Sequence, residues 1–118
     1  MKIWQSFRVI FLGAFLSFGI GQYTLATEYT DDIAIADRKV ILEQYEEAKE
    51  IYQNIIDSAE PSVVVAYAHY KLGTLYKKQH DPAKAKMEYQ KGLTSLKDAG
   101  QTNHQIARHL EQALHADK

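Results

Sequence analysis

The residues able to do chemistry are few in kind: five histidines, fifteen carboxylates and eight tyrosines in 118 residues, with no cysteine. Without cysteine there is no disulfide, no Cys-ligated zinc, no iron–sulfur cluster and no thiol nucleophile. His104 and His109 are five residues apart, and His109 and His115 six. Zinc ligands on one helical face need a spacing of four, so neither pair is a metal site. Asp31-Asp32 and Glu46-Glu47 are adjacent acids. Neighbours on a helix point about 100° apart and make poor acid–base partners. The chain has no H-E-x-x-H, G-x-S-x-G, P-loop or dinucleotide fingerprint. The expectation is a protein with no catalytic residues, metal or cofactor.

The elements that would position these side chains are helical. Val65, His69, Leu72, Gly73 and Tyr76 make one stripe of a helix over 61–79, with Pro61 in its first turn. Asp81 and Pro82 start the next helix, whose stripe holds Ala85, Tyr89, Gly92, Leu93 and Leu96 and which stops at Ala99-Gly100. Thr102 and Gln105 have the spacing of a capping box before Ile106, Leu110 and Leu114. Upstream, Ala48, Ile51, Tyr52, Ile55 and Ile56 form a further stripe, and residues 33–42 a shorter helix. No segment alternates as a strand would, so the class is all-α.

Residues 1–26 are different. Lys2 and Arg8 precede thirteen uncharged residues, 9–21, followed by Thr24-Leu25-Ala26. This pattern predicts a secretory signal peptide cleaved before Thr27; an uncleaved N-terminal membrane anchor is the alternative. Either way residues 27–118 are exported, to the periplasm or another extracytoplasmic space. All their aromatic residues are tyrosines. Residues 27–60 carry ten acids and three bases, whereas 61–97 carry seven lysines and two acids. Such a split serves attraction between the two halves or a dipolar surface that orients a partner. A net charge of −1 and the absence of a basic–aromatic platform argue against nucleic acid.

The chain also repeats itself. His69-x2-Leu72-Gly73-x2-Tyr76 followed by Ala85-x3-Tyr89 resembles the tetratricopeptide repeat, and the best unit, 66–99, has that family's length of 34 residues. A shift of 34 lays Leu72, Gly73 and Tyr76 on Ile106, Ala107 and Leu110. Ala85 and Tyr89 match Ala48 and Tyr52 at a shift of 37. The same shift lays Lys39 on Tyr76, so the first helix is either divergent or out of register. His69 and Asn103 stand where the family favours Trp, Gly92 where it favours Ala, and Lys97 where it favours Pro. The resemblance implies a right-handed α-solenoid of antiparallel helix hairpins, about two and a half units at 29–62, 66–99 and 100–118.

By that resemblance the first helices line a concave groove that holds a peptide or protein segment. Tyr67, Tyr70, Thr74, Lys77 and Lys78 fall on this stripe in the central unit. His104 and Arg108, with Gln101, Glu111 and Gln112, follow at a shift of 34, and Ile33, Asp37, Val40 and Ile41 precede at 37. Tyr70 and Thr74 replace the Lys and Asn with which some family members clamp a C-terminal acid, so no such clamp is expected. The stripe suits a partner segment with apolar anchors and some carboxylates. The function expected is an exported adaptor or assembly factor. The alternative is a structural accessory subunit held permanently in an envelope or membrane complex. The apolar edge of the last helix, which lacks a hairpin partner, predicts self-association there. Membrane contact would come only through residues 1–26, if uncleaved.

Overall fold

A computed structural model of the chain describes the backbone of residues 18–116 and the side chains of 29–116. The basic start of the expected signal and most of its apolar run lie outside the described residues. The elements are helices α1 (Phe18–Ile41), α2 (Tyr45–Ser58), α3 (Val63–Lys78), α4 (Pro82–Asp98) and α5 (Gln105–His115). No strand occurs among the described residues, as the sequence predicts. The chain divides into two compact units after Thr30, and the packing described below lies within the second. Among the described residues no helix is long and apolar enough to cross a membrane.

Helix starts follow local chemistry. Ser62 caps α3, its hydroxyl accepting from the Val65 N–H at 3.2 Å. The helix therefore begins at Val63, with Pro61 outside it. Asp81 caps α4 by accepting from the Lys84 N–H at 3.2 Å, with Pro82 first in the helix. The capping box at the last helix does not form. The His104 N–H instead closes a turn onto the Gln101 carbonyl at 3.1 Å, which leaves Thr102 inside the turn. His104 becomes the cap, and its Nδ1 accepts from the Ile106 N–H at 3.2 Å. The first helix is longer than the expected 33–42. It has no proline to break it, and its backbone is helical from Phe18 on.

The turns repeat with the sequence. α1 and α3 each end in a residue with left-handed backbone, Glu43 (φ 60°) and His80 (φ 63°), 37 residues apart. In both, the next N–H reaches back five residues: Gln44 to the Lys39 carbonyl at 2.9 Å, and Asp81 to that of Tyr76 at 2.8 Å. The end of α4 uses the same device on Gly100 (φ 68°), with Gln101 bonded to the Leu96 carbonyl at 2.8 Å. Seven residues before the left-handed position stand buried Ala36 and Gly73, and beyond it buried Ala48 and Ala85, then Tyr52 and Tyr89. The first helix is therefore in register, and its sequence has diverged. Ile35 is 48% exposed where its counterpart Leu72 is 1% exposed.

Contacts fix the helix directions. Ala66 lies against Gly92, and Gly73 against Tyr89; His69 bonds Glu88. From Ala66–Gly92 to Gly73–Tyr89 the number on α3 rises as that on α4 falls, so α3 and α4 are antiparallel, and they form the most extensive pair among α2 to α5. α2 packs on α3 and α5 on α4, with a smaller contact between α3 and α5. Gly73 has no room for a side chain, since a Cβ there would lie 2.5 Å from the Tyr89 ring. Ile106, Ala107 and Leu110 are buried, in one core with Ala66, Ala85, Tyr89 and Leu96. Two of the three residues of the expected apolar edge, Ile106 and Leu110, are thus packed inside the fold. Leu114 is half-buried and packs on the same core, and the outer face of α5 presents Arg108, His109, Glu111 and Gln112.

Candidate functional site

α3 carries most of the expected groove residues. Tyr67, Tyr70 and Thr74 are half-buried, and Lys77 and Lys78 are exposed in its last turn. Tyr70 is the centre of an aromatic cluster. Its ring lies 6.0 Å from that of Tyr89 on α4 and 6.1 Å from that of His109 on α5, each tilted by 40°. Thr74, one turn along, donates its hydroxyl to the Tyr70 carbonyl at 3.0 Å and stands 3.5 Å from the Tyr89 hydroxyl. Three helices thus converge on Tyr70, Thr74, Tyr89 and His109. Lys78 turns away from this cluster and lies 6.0 Å above the Tyr45 ring. Arg108 is exposed beside His109 in the chain, and His104 is occupied as the cap of α5.

Tyr67 belongs to a second arrangement, built around Asp37 of α1. The Asp37 carboxylate accepts from the Tyr52 hydroxyl at one oxygen and from the Tyr67 hydroxyl, at 3.3 Å, at the other. Lys71 brings its ammonium to 3.7 Å of the same carboxylate and 5.4 Å from the Tyr67 ring centroid. One half-buried acid thereby joins α1, α2 and α3. Charge-assisted hydrogen bonds of this kind are the stronger ones. Burial, and then the hydrogen bond to Asp37, push the Tyr52 hydroxyl well above the ordinary tyrosine range. Burial raises Tyr67 as well, and Lys71 partly opposes it.

These two shifts fix the sign of an alkaline effect. A tyrosine harder to ionise when folded contributes stability that is complete below its unfolded pKa, near 10, and is lost as pH rises above it. Stability should therefore fall steeply above about pH 10. Tyr52→Phe should reduce that slope and cost about 1–3 kcal/mol at neutral pH, because Asp37 loses a buried donor. Denaturant titrations of both proteins at several pH values measure the two effects; an unchanged alkaline slope would remove Tyr52 as its source.

The remaining polar groups are structural in their contacts. His69, where the tetratricopeptide pattern has Trp, is buried and bonds Glu88 at 2.7 Å, and Lys91 stands 3.7 Å from the other Glu88 oxygen. His69 also lines an open depression of about 400 Å³, with Met87, Gln90, Lys91, Thr94 and Ser95. Tyr76 lies between two ammonium groups, Lys49 at 5.1 Å and Lys84 at 5.5 Å from its ring centroid. Exposed Glu46 is held below the usual carboxylate range, first by its hydrogen bond with Lys49 and then by that with Gln79. Lys71–Asp37 is an ion pair between the acidic and basic segments, whereas Lys84 and Lys91 pair with acids on their own helix or its cap. Among the described residues, no group of three or more His, Asp or Glu could hold a metal ion.

Sequence reasoning put Tyr67, Tyr70, Thr74 and Asp37 on one stripe. The structure splits them between two clusters, and Asp37 is engaged by its neighbours. It also adds Tyr89 and His109 to the aromatic cluster. The signal for Tyr89 was present, since Asp37 and Tyr52 fall on Thr74 and Tyr89 at the same 37-residue shift as the turns. His109 had no such signal, because its position depends on how α5 seats on α3. No family model matches this chain, and no curated protein or solved structure matches it.

Proposed function

We propose that residues 27–118 form a tetratricopeptide-like right-handed solenoid of about two and a half units. In this reading the first helices, α1, α3 and α5, line a groove that holds a segment of another protein, and the chain is an exported adaptor or assembly factor. The recurrence of turn, small residue, alanine and tyrosine every 37 residues supports the repeat. One observation carries the binding reading. The half-buried Tyr70 sits between Tyr89 and His109, with Lys77, Lys78 and Arg108 exposed on the same two first helices. A rigid aromatic anchor flanked by exposed cations is the composition of an interaction surface and not of a merely solvated helix face. Export is read from residues 1–26 of the sequence.

A permanent structural subunit is the second reading. Ile35, Ile41 and Leu42 are exposed at the α1 end, apolar area that a constant neighbour would cover. The two differ in the behaviour of the protein alone: an adaptor stays soluble and a permanent subunit aggregates.

Affinity capture of the full-length protein, with mass spectrometry of what is retained, tests the groove through variants. Tyr70→Ala and Lys77→Glu should each weaken the principal captured partner about tenfold or more, as interface anchors do. Lys86→Glu, exposed on α4, should leave it unchanged. Equal loss in all three, with each still helical, would mean that the groove is not the site.

A further inference from the structure

We infer that the cluster of Tyr70, Thr74, Tyr89 and His109 receives a side-chain carboxylate, an aspartate or glutamate of the partner segment. The inference deepens the groove reading above and rests on it. Its basis is the internal repeat. In the first hairpin, a tyrosine of the second helix, Tyr52, donates to an acid of the first, Asp37. At the 37-residue shift defined by the two left-handed turns, these positions are Tyr89 and Thr74. The tyrosine is retained and again points to its first-helix counterpart, at 3.5 Å. The acid is gone. Thr74 has spent its proton on the Tyr70 carbonyl, so the Tyr89 hydroxyl has only a long contact in place of the carboxylate bond of Tyr52.

The surroundings repeat the same chemistry. In the first slot, the next first helix, α3, brings a phenol and a cation, Tyr67 and Lys71, to the acid. In the second, the next first helix, α5, brings His109 to the Tyr70 ring, with exposed Arg108 as the adjoining residue. Among the described residues Arg108 has no acid partner. The second slot therefore keeps the tyrosine hydroxyl, has a cation at the residue next to His109, and lacks the anion. Asp37 reaches its donors from the first helix of its own hairpin, α1. A partner segment lying on the first helices would offer its acid from the same side. This differs from a clamp for a chain terminus, which would need a second set of cations at Tyr70 and Thr74.

Two blocked nonapeptides test this, identical in their leucines and differing only in a central aspartate or asparagine. Their binding to the full-length protein is read by fluorescence anisotropy. The aspartate peptide should bind about tenfold more tightly, the effect of one charge-assisted hydrogen-bond set. Thr74→Asp, which restores the acid of the first slot, should fold and abolish the preference. Arg108→Glu changes only an exposed side chain and should reverse it. Binding of both peptides with equal affinity would overturn the inference and leave the groove standing. No binding of either would overturn both, and an undiminished preference in Thr74→Asp and Arg108→Glu would locate the acid elsewhere.

Discussion

Truncation of Tyr89 to alanine is expected to cost about 3–5 kcal/mol, the range for removing a buried aromatic ring. In a domain of this size that is a large part of the total stability. Tyr89 is 2% exposed, touches the backbone of α3 at Gly73, stacks on Tyr70 and reaches Thr74. Its partner glycine gives the argument a second leg. A Cβ at position 73 would meet the ring carbons Cε1, Cδ1 and Cζ at 2.5, 2.7 and 2.9 Å. The ring is stiff and wedged between helices, so Gly73→Ala should cost about 1–3 kcal/mol by overpacking. Alanine gains roughly 0.5–1 kcal/mol over glycine within a helix. With Tyr89 already alanine, the same substitution should therefore be neutral or stabilising. A denaturation cycle of the four proteins reads this coupling. Additive costs would mean that position 73 is kept small by some contact other than the tyrosine.

Leu110→Ala is the second large effect, about 2–5 kcal/mol. Leu110 is fully buried, and its Cδ2 atom lies 2.9 Å from where a Cβ on Gly92 would stand. α5 has only Ile106, Ala107 and Leu110 as buried residues, so Leu110 is one of two large side chains on which its attachment depends. In a repeat protein each element contacts only its neighbours, and loss can be local. Hydrogen exchange should therefore find the α5 amides unprotected in Leu110→Ala, and those of α2 and the first half of α3 still slow. Uniform loss of protection would mean one indivisible cooperative unit.

Much of this fold was legible because the repeat wrote it twice. Ala85 and Tyr89, and Ala48 and Tyr52 matched to them, were read as apolar stripes and all four are buried, and Asp81-Pro82 predicted the start of a helix that the structure confirms. The register of α1 was not legible, since Ile35 and Ala36 fall on Leu72 and Gly73 but Lys39 falls on Tyr76. It became clear from the shared left-handed turns at Glu43 and His80, a backbone feature that neither residue type advertises. The cap of α5 was misread for a physical reason: Thr102 has the right spacing to Gln105, but the turn after Gly100 absorbs it. The site was legible in part. Tyr70 and Thr74 were found from helical geometry on one element. Asp37 looked like groove surface until its partners on α2 and α3 were known, and the pairing of Tyr70 with His109 depends on the packing between elements, which periodicity along one helix does not encode.

The central claim is that the α3–α5 face holds another protein and the α4 face does not. Site-specific photocrosslinking in the cells that make the protein tests it without a partner known beforehand. A photoreactive aromatic residue is placed singly at Tyr70, Lys77 and His109, and at Lys86 and Lys97 on α4. The account predicts one discrete crosslinked species shared by the first three positions and absent from the last two. The same species from the α4 positions, or none from Tyr70, Lys77 and His109, would contradict it.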